Sequence, residues 1–150
     1  VTIFNTISLR LARLFKVYSP EEKALSKALK SILGYHALNL EIFKLALIHV
    51  SAAKDTDFAQ FKESNERLEY LGDAVLGAVV AEYLFQTFPF KNEGFLTEIR
   101  SRIVSREALD LLAKKIGLDS LVQYDTSRRN ANSFKYIYGD AMEAFIGAVY

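Results

Sequence analysis

Three acidic residues, Glu66, Glu69 and Asp73, are spaced so that all fall on one stripe of an α-helix, which turns by about 100° per residue. Gly77 and Val80 continue that stripe, while Leu68, Leu71, Val75 and Val79 occupy the opposite side. The pattern predicts a helix buried nearly all round, with its carboxylates facing inward. Like charges one turn apart destabilise even an exposed helix by about 0.2–0.5 kcal/mol, and burial raises that cost. A chain tolerates the arrangement when a cation joins it. Oxygen ligands without His or Cys select a hard ion, Mg²⁺ with Mn²⁺ as a substitute.

A second acidic pair, Asp140 and Glu143, shares a helix face at i,i+3. Gly147 lies one turn beyond Glu143, as Gly77 lies one turn beyond Asp73. Glycines below the acids predict close approach of the two helices, gathering Glu69, Asp73, Asp140 and Glu143. Such a cluster can hold one or two metal ions, activate water and neutralise charge on a phosphodiester. The competing reading is two solvated acidic faces, the usual fate of acids on helices, and spacing alone does not decide between them.

The elements that must position these acids are helical. Ser19-Pro20-Glu21-Glu22 starts a helix that runs to about Leu33 and stops at Gly34. Asn39 can cap a second, Leu40 to about His49, and Ala52 to Gln60 reads as a polar loop. Asn65 caps a long helix to about Thr87, which Pro89 ends. After a turn at Asn92-Glu93-Gly94, two helices cover Phe95 to Val104 and Arg106 to Ile116, hinged near Ser105 and ended by Gly117. Gln123 to Ser133 is a loop, and the last helix begins near Phe134. No run alternates at period two, so the expected fold class is all-α.

The 150 residues, 51% hydrophobic and 25% charged, suit one soluble globular domain. The net charge of +1 conceals a separation of sign: bases collect at Arg100-Arg102-Arg106, Lys114-Lys115 and Arg128-Arg129, away from the acids. An acidic centre beside basic patches suits hydrolysis of a polyanion. The absence of Cys excludes disulfides, thiolate metal sites and a Cys nucleophile, and fits a reducing, cytoplasmic setting. No stretch of membrane-spanning length is free of charge. Val1 to Tyr18, with Arg10, Arg13 and Lys16 at helical spacing, reads as an amphipathic segment preceding a domain from residue 19 to 150. Because Tyr150 falls inside a helical run, the sequence reads as a fragment truncated at its C-terminus. His36 and His49 have no partner at ligand spacing and read as structural.

The run Asn65-Glu66-Arg67-Leu68-Glu69-Tyr70-Leu71-Gly72-Asp73-Ala74-Val75-Leu76 resembles the signature of the ribonuclease III family. Gly139-Asp140-Ala141-Met142-Glu143-Ala144-Phe145-Ile146-Gly147-Ala148-Val149-Tyr150 is similar to that family's second acidic motif. Glu93-Gly94-Phe95-Leu96 resembles its loop-to-helix segment, and Leu45 to Ser51 matches an upstream helix more loosely. The resemblance implies a compact helical endonuclease domain that cleaves double-stranded RNA as a homodimer. It implies metal-dependent hydrolysis leaving 5′-phosphates and 3′-hydroxyls, in processing of structured precursors such as ribosomal RNA, with no small-molecule cofactor and no membrane.

By motif position, Glu69, Asp73, Asp140 and Glu143 would be the metal ligands, with Asp73 and Glu143 the most directly catalytic. Glu66 and Glu93 would be accessory acids, and Tyr70, where the family often has Phe, a dimer contact. Lys135 stands where many members have Glu and cannot ligate a metal. The double-stranded RNA-binding domain that members often append is absent from these residues. Two rival readings are a catalytically silent relative serving as an RNA-binding or structural module, which loss of a principal carboxylate would favour, and a di-iron bundle. The latter places Glu-x-x-His pairs on its helices, and this chain has none.

Overall fold

The computed structural model describes residues 18–53, 63–128 and 136–150. In them lie α1 (Pro20–Leu33), α2 (Leu40–Ala46), α3 (Glu66–Thr87), α4 (Glu93–Ile103), α5 (Arg106–Lys115) and α6 (Ile137–Val149), with short 3₁₀ turns at Asp119–Leu121 and Thr126–Arg128. The one β-type pairing among the described residues is an isolated parallel bridge, Ile48 to Gln123. The architecture is all-α. The N-terminal amphipathic segment up to residue 17, most of the polar loop after Ala53, Arg129 and Lys135 lie outside the described residues. No described helix is long and apolar enough to cross a membrane.

Two compact units divide between Glu41 and Ile42. In the first, α1 begins with a reciprocal cap: the Glu22 N–H donates to Ser19 Oγ (3.1 Å) and the Ser19 N–H to the Glu22 carboxylate (2.9 Å). It ends at Gly34, whose φ of +78° is open to glycine at little cost.

In the second unit α6 is the central element, burying Ile137, Gly139, Ala141, Met142, Glu143, Ala144, Phe145 and Gly147. On one side it meets α2 and α3, where Ala46, Leu68 and Ala144 form a buried cluster flanked by Ile42, Leu45 and Ala148. The Phe43 and Phe145 rings lie 5.4 Å apart across the same contact. On the other side α5 passes so close that a Cβ on Gly139 would sit 3.0 Å from the Arg106 carbonyl oxygen.

Several elements differ from the sequence expectation for tertiary reasons. The second helix stops at Ala46 rather than His49, because Gln123 N–H donates to Leu47 O (2.8 Å) and His49 N–H to Gln123 O (2.9 Å). Asn65 precedes α3 but its side chain makes no capping bond. Instead Asn65 is buried and its N–H donates to Ile48 O (2.8 Å), fastening the start of α3 to the same segment. Asn92 is a cap, its Oδ1 accepting from Phe95 N–H (3.0 Å), so Glu93 and Gly94 already belong to α4.

The largest correction concerns α3. Only Leu68, Gly72 and Leu84 are buried, while Tyr70, Leu71, Val79, Tyr83 and Phe85 are exposed on this chain. A wheel of apolar residues reports what a helix could bury; only its neighbours decide what it does bury, and α6 covers one side.

Candidate metal centre

The two acidic helices meet at glycines. A Cβ on Gly72 would collide with the Glu143 carbonyl, and one on Gly147 with the Leu68 carbonyl, so backbones at this crossing approach as only glycine permits. Gly77, the expected contact, has open space around its Cβ position. The crossing therefore lies one turn nearer the acids than spacing suggested. That shift brings the first turns of α3 and the middle of α6 face to face.

At the crossing, oxygens of Glu69, Asp140 and Glu143 lie within 4.8 Å of one another. Opposite ligands of an ion with bonds of about 2.1 Å are about 4.2 Å apart, so small side-chain rotations would let all three share one cation. Asp140 Oδ1 is buried and has no hydrogen-bond partner. A buried carboxylate oxygen without a protein partner, beside two further acids, suits ligation of a cation better than a finished protein network. The oxygen-only donor set fits a hard ion.

Asp73 stands outside that trio. It is exposed and lines a cleft of about 490 Å³ together with Glu66, Glu69, Tyr70, Val104, Arg106 and Glu143. Glu66 is exposed and accepts from Ser64 Oγ (3.0 Å). Glu93 does not reach the cleft: it accepts from Thr97 Oγ1 (2.8 Å) and lines a separate apolar groove with Leu84, Phe85 and Leu96.

The electrostatics record the crowding. Burial, then Asp73, Glu69 and Asp140, push the Glu143 carboxyl up to about 7. Burial, then Asp140, raises Glu69, and burial raises Asp140. Arg106, the first residue of α5, opposes all three shifts. Composition placed Arg106 in a basic patch without showing that it enters the acidic cleft.

His49 is the other residue that sequence spacing did not bring to the site. Its ring carries opposing influences: burial lowers its pKa, while Asp140 and then Glu66 raise it. The available signal was Ser51, two residues on, whose contacts to the ring are local; its neighbourhood with the acids is purely tertiary.

A family model described as the Ribonuclease III domain matches residues 66–150. Ribonuclease 3 of Bacteroides fragilis is 49% identical over 119 residues, covering 79% of this chain and 40% of that protein. Ribonuclease 3 of Phocaeicola vulgatus is 39% identical over 148 residues, 99% of this chain and 46% of the relative. The chain thus spans less than half the length of these relatives. Among solved structures, the nuclease domain of Ribonuclease III from Campylobacter jejuni, described with a flexible region involved in dimer formation, superposes with a TM-score of 0.69 at 33% identity. That match covers 81% of this chain and 82% of the other.

Proposed function

The chain belongs to the ribonuclease III family, and from that premise we propose that it is the catalytic domain of a metal-dependent endoribonuclease specific for double-stranded RNA. The observation that carries this reading is the convergence of Glu69, Asp140 and Glu143 from two helices around the orphaned Asp140 Oδ1.

In this reading Glu69, Asp140 and Glu143 hold Mg²⁺, with Mn²⁺ as a substitute. When bound there, a hard cation would supply Lewis acidity towards a phosphodiester oxygen and would make water easier to deprotonate. Asp73, on the wall of the same cleft, directs the attacking water, and its exposure leaves it free to meet substrate. Arg106 offers a guanidinium to the phosphate, a bidentate donor that also offsets the clustered acids. Glu66 supports the cleft rim. Hydrolysis leaves a 5′-phosphate and a 3′-hydroxyl, with short 3′ overhangs when two centres act on the two strands. An A-form duplex would be held by its shape and 2′-hydroxyls, and processing of structured precursors such as ribosomal RNA, in the cytoplasm, follows as the setting. The test is incubation of a long RNA duplex and a single strand of the same sequence, with and without Mg²⁺. Shortening of the duplex alone, and only with metal, is expected; an intact duplex with Mg²⁺ overturns the reading.

A homodimer belongs to the same proposal. Tyr70, 82% exposed on α3, leaves a large aromatic ring uncovered on this chain, and such a ring suits a subunit interface. Its Oη would need a hydrogen-bond partner across that interface. Light scattering is expected to report twice the chain mass, and Tyr70→Ala to shift the population towards monomer. A monomeric wild type would remove Tyr70 from this role.

A pH dependence follows from Glu143. Its protonated carboxyl cannot ligate a cation, so metal affinity and cleavage rate are expected to be full above the pKa of about 7 and to fall as pH drops through it. A rate that stays flat from pH 8 to pH 5.5 would contradict the assignment of Glu143 to the metal.

A further inference from the structure

His49 lies where three elements are fastened together. Its N–H donates to Gln123 O (2.9 Å), and the preceding carbonyl, Ile48 O, accepts from Asn65 N–H (2.8 Å), one residue before Glu66. Three residues earlier in the chain, Ala46 packs with Leu68 and Ala144 in one buried cluster. Glu66 lies just before Leu68 in α3, and Asp140 one turn before Ala144 in α6. The backbone fastening sets His49 beside the start of α3, where Glu66 lies, and Asp140 and Glu66 are both near enough to act electrostatically on its ring.

The ring's protonation is fixed by its neighbours. Ser51 N–H, which can only donate, lies 3.2 Å from His49 Nδ1. Ser51 Oγ lies 2.8 Å from the same nitrogen and accepts from Asp125 N–H (3.0 Å), which turns the hydroxyl proton towards the ring. Nδ1 is thus an acceptor, and the neutral ring carries its proton on Nε2.

We propose that His49 is a positioning residue of the metal centre, presenting Nε2–H towards Asp140 and Glu66 and so fixing the orientation in which Asp140 meets a divalent cation. The inference rests on the reading of Glu69, Asp140 and Glu143 as cation ligands. Orientation of ligating carboxylates by a hydrogen-bonded outer shell commonly changes metal affinity or activity by about 10–100-fold. The Asp125–Ser51–His49 chain supplies the rigidity: two backbone attachments and one side-chain bridge leave the ring little freedom.

The test is Mn²⁺ titration by calorimetry on this chain as wild type, H49N and H49Q, with melting temperature and duplex cleavage measured in parallel. Asn keeps an amide oxygen near Nδ1 for Ser51 but withdraws the distal donor; Gln carries an amide N–H near the Nε2 position. H49N is expected to lose about 10–100-fold in Mn²⁺ affinity and in kcat at fixed Mg²⁺, with KM for RNA and melting temperature little changed. H49Q is expected to recover most of both. Unchanged Mn²⁺ affinity in H49N overturns the proposal, as do equal losses in both variants that track a lowered melting temperature. Should H49N not fold, Ser51→Ala removes the Oγ bridge and is expected to weaken Mn²⁺ in the same direction; unchanged affinity there overturns the proposal. A wild type that binds Mn²⁺ but leaves duplex RNA intact would sink the nuclease reading while leaving this one to the H49N comparison.

Discussion

Glu143→Gln is expected to abolish Mg²⁺-dependent cleavage of duplex RNA, by about 10²-fold or more, while making the metal-free protein more stable above pH 7. Both halves come from one carboxylate. Glu143 is buried among Asp73, Glu69 and Asp140, and its pKa of about 7 stands well above the ordinary 4.5. Between those two values the unfolded chain has released the proton that the folded chain retains, so stability falls as pH rises and the penalty is complete above about pH 7. A neutral amide of the same shape removes that penalty, on the order of 1–3 kcal/mol. Thermal melts in chelator at pH 8 should therefore place E143Q above wild type, and excess Mg²⁺ should reverse the order by stabilising wild type alone. A variant that cleaves normally, or that melts below wild type without metal, would contradict the role given to Glu143.

Gly72→Ala is expected to have the largest effect on folding. Its Cβ would run into the Glu143 carbonyl, a backbone group that α6 cannot withdraw without moving the whole helix. Overpacking against backbone exceeds the usual core range of about 1–3 kcal/mol, and the displaced α6 would carry Asp140 and Glu143 away from Glu69. Loss of the cooperative melt, or a melting temperature lowered by 10 °C or so, is the predicted outcome. Gly77→Ala is the control: with open space around its Cβ position, alanine in a helix should leave the isolated chain as stable or up to about 1 kcal/mol more so. Equal effects at the two positions would show that the α3–α6 crossing is placed wrongly.

These two glycines also show where the sequence could be read and where it could not. Local signals were legible: Ser19 with Glu22 closes a capping box, Ser105 caps α5, and Gly34 and Gly117 adopt the positive φ at which their helices stop. The acids could be assigned to two helix faces because helical periodicity is a property of the chain itself. Which turn of α3 crosses α6 is not such a property, and Gly77 was a plausible choice that the packing replaced with Gly72. The exposed faces of α3 were hidden for the same reason, since Tyr83 and Phe85 look like core residues until their neighbours are known. His49 needed long-range fastening to Gln123 and Asn65 before its nearness to Asp140 had any meaning. Asp73 shared a stripe with Glu69 yet lines the cleft beside the trio rather than joining it.

In the proposed reading α3 and α6 build one hard-cation site from Glu69, Asp140 and Glu143. Crystals grown with saturating Mn²⁺ and measured for anomalous scattering test it most directly. An anomalous peak bonded to oxygens of all three residues, including Asp140 Oδ1 or its neighbour Oδ2, is the predicted result. Anomalous peaks confined to other carboxylates, with this trio bare at saturating Mn²⁺, would contradict it.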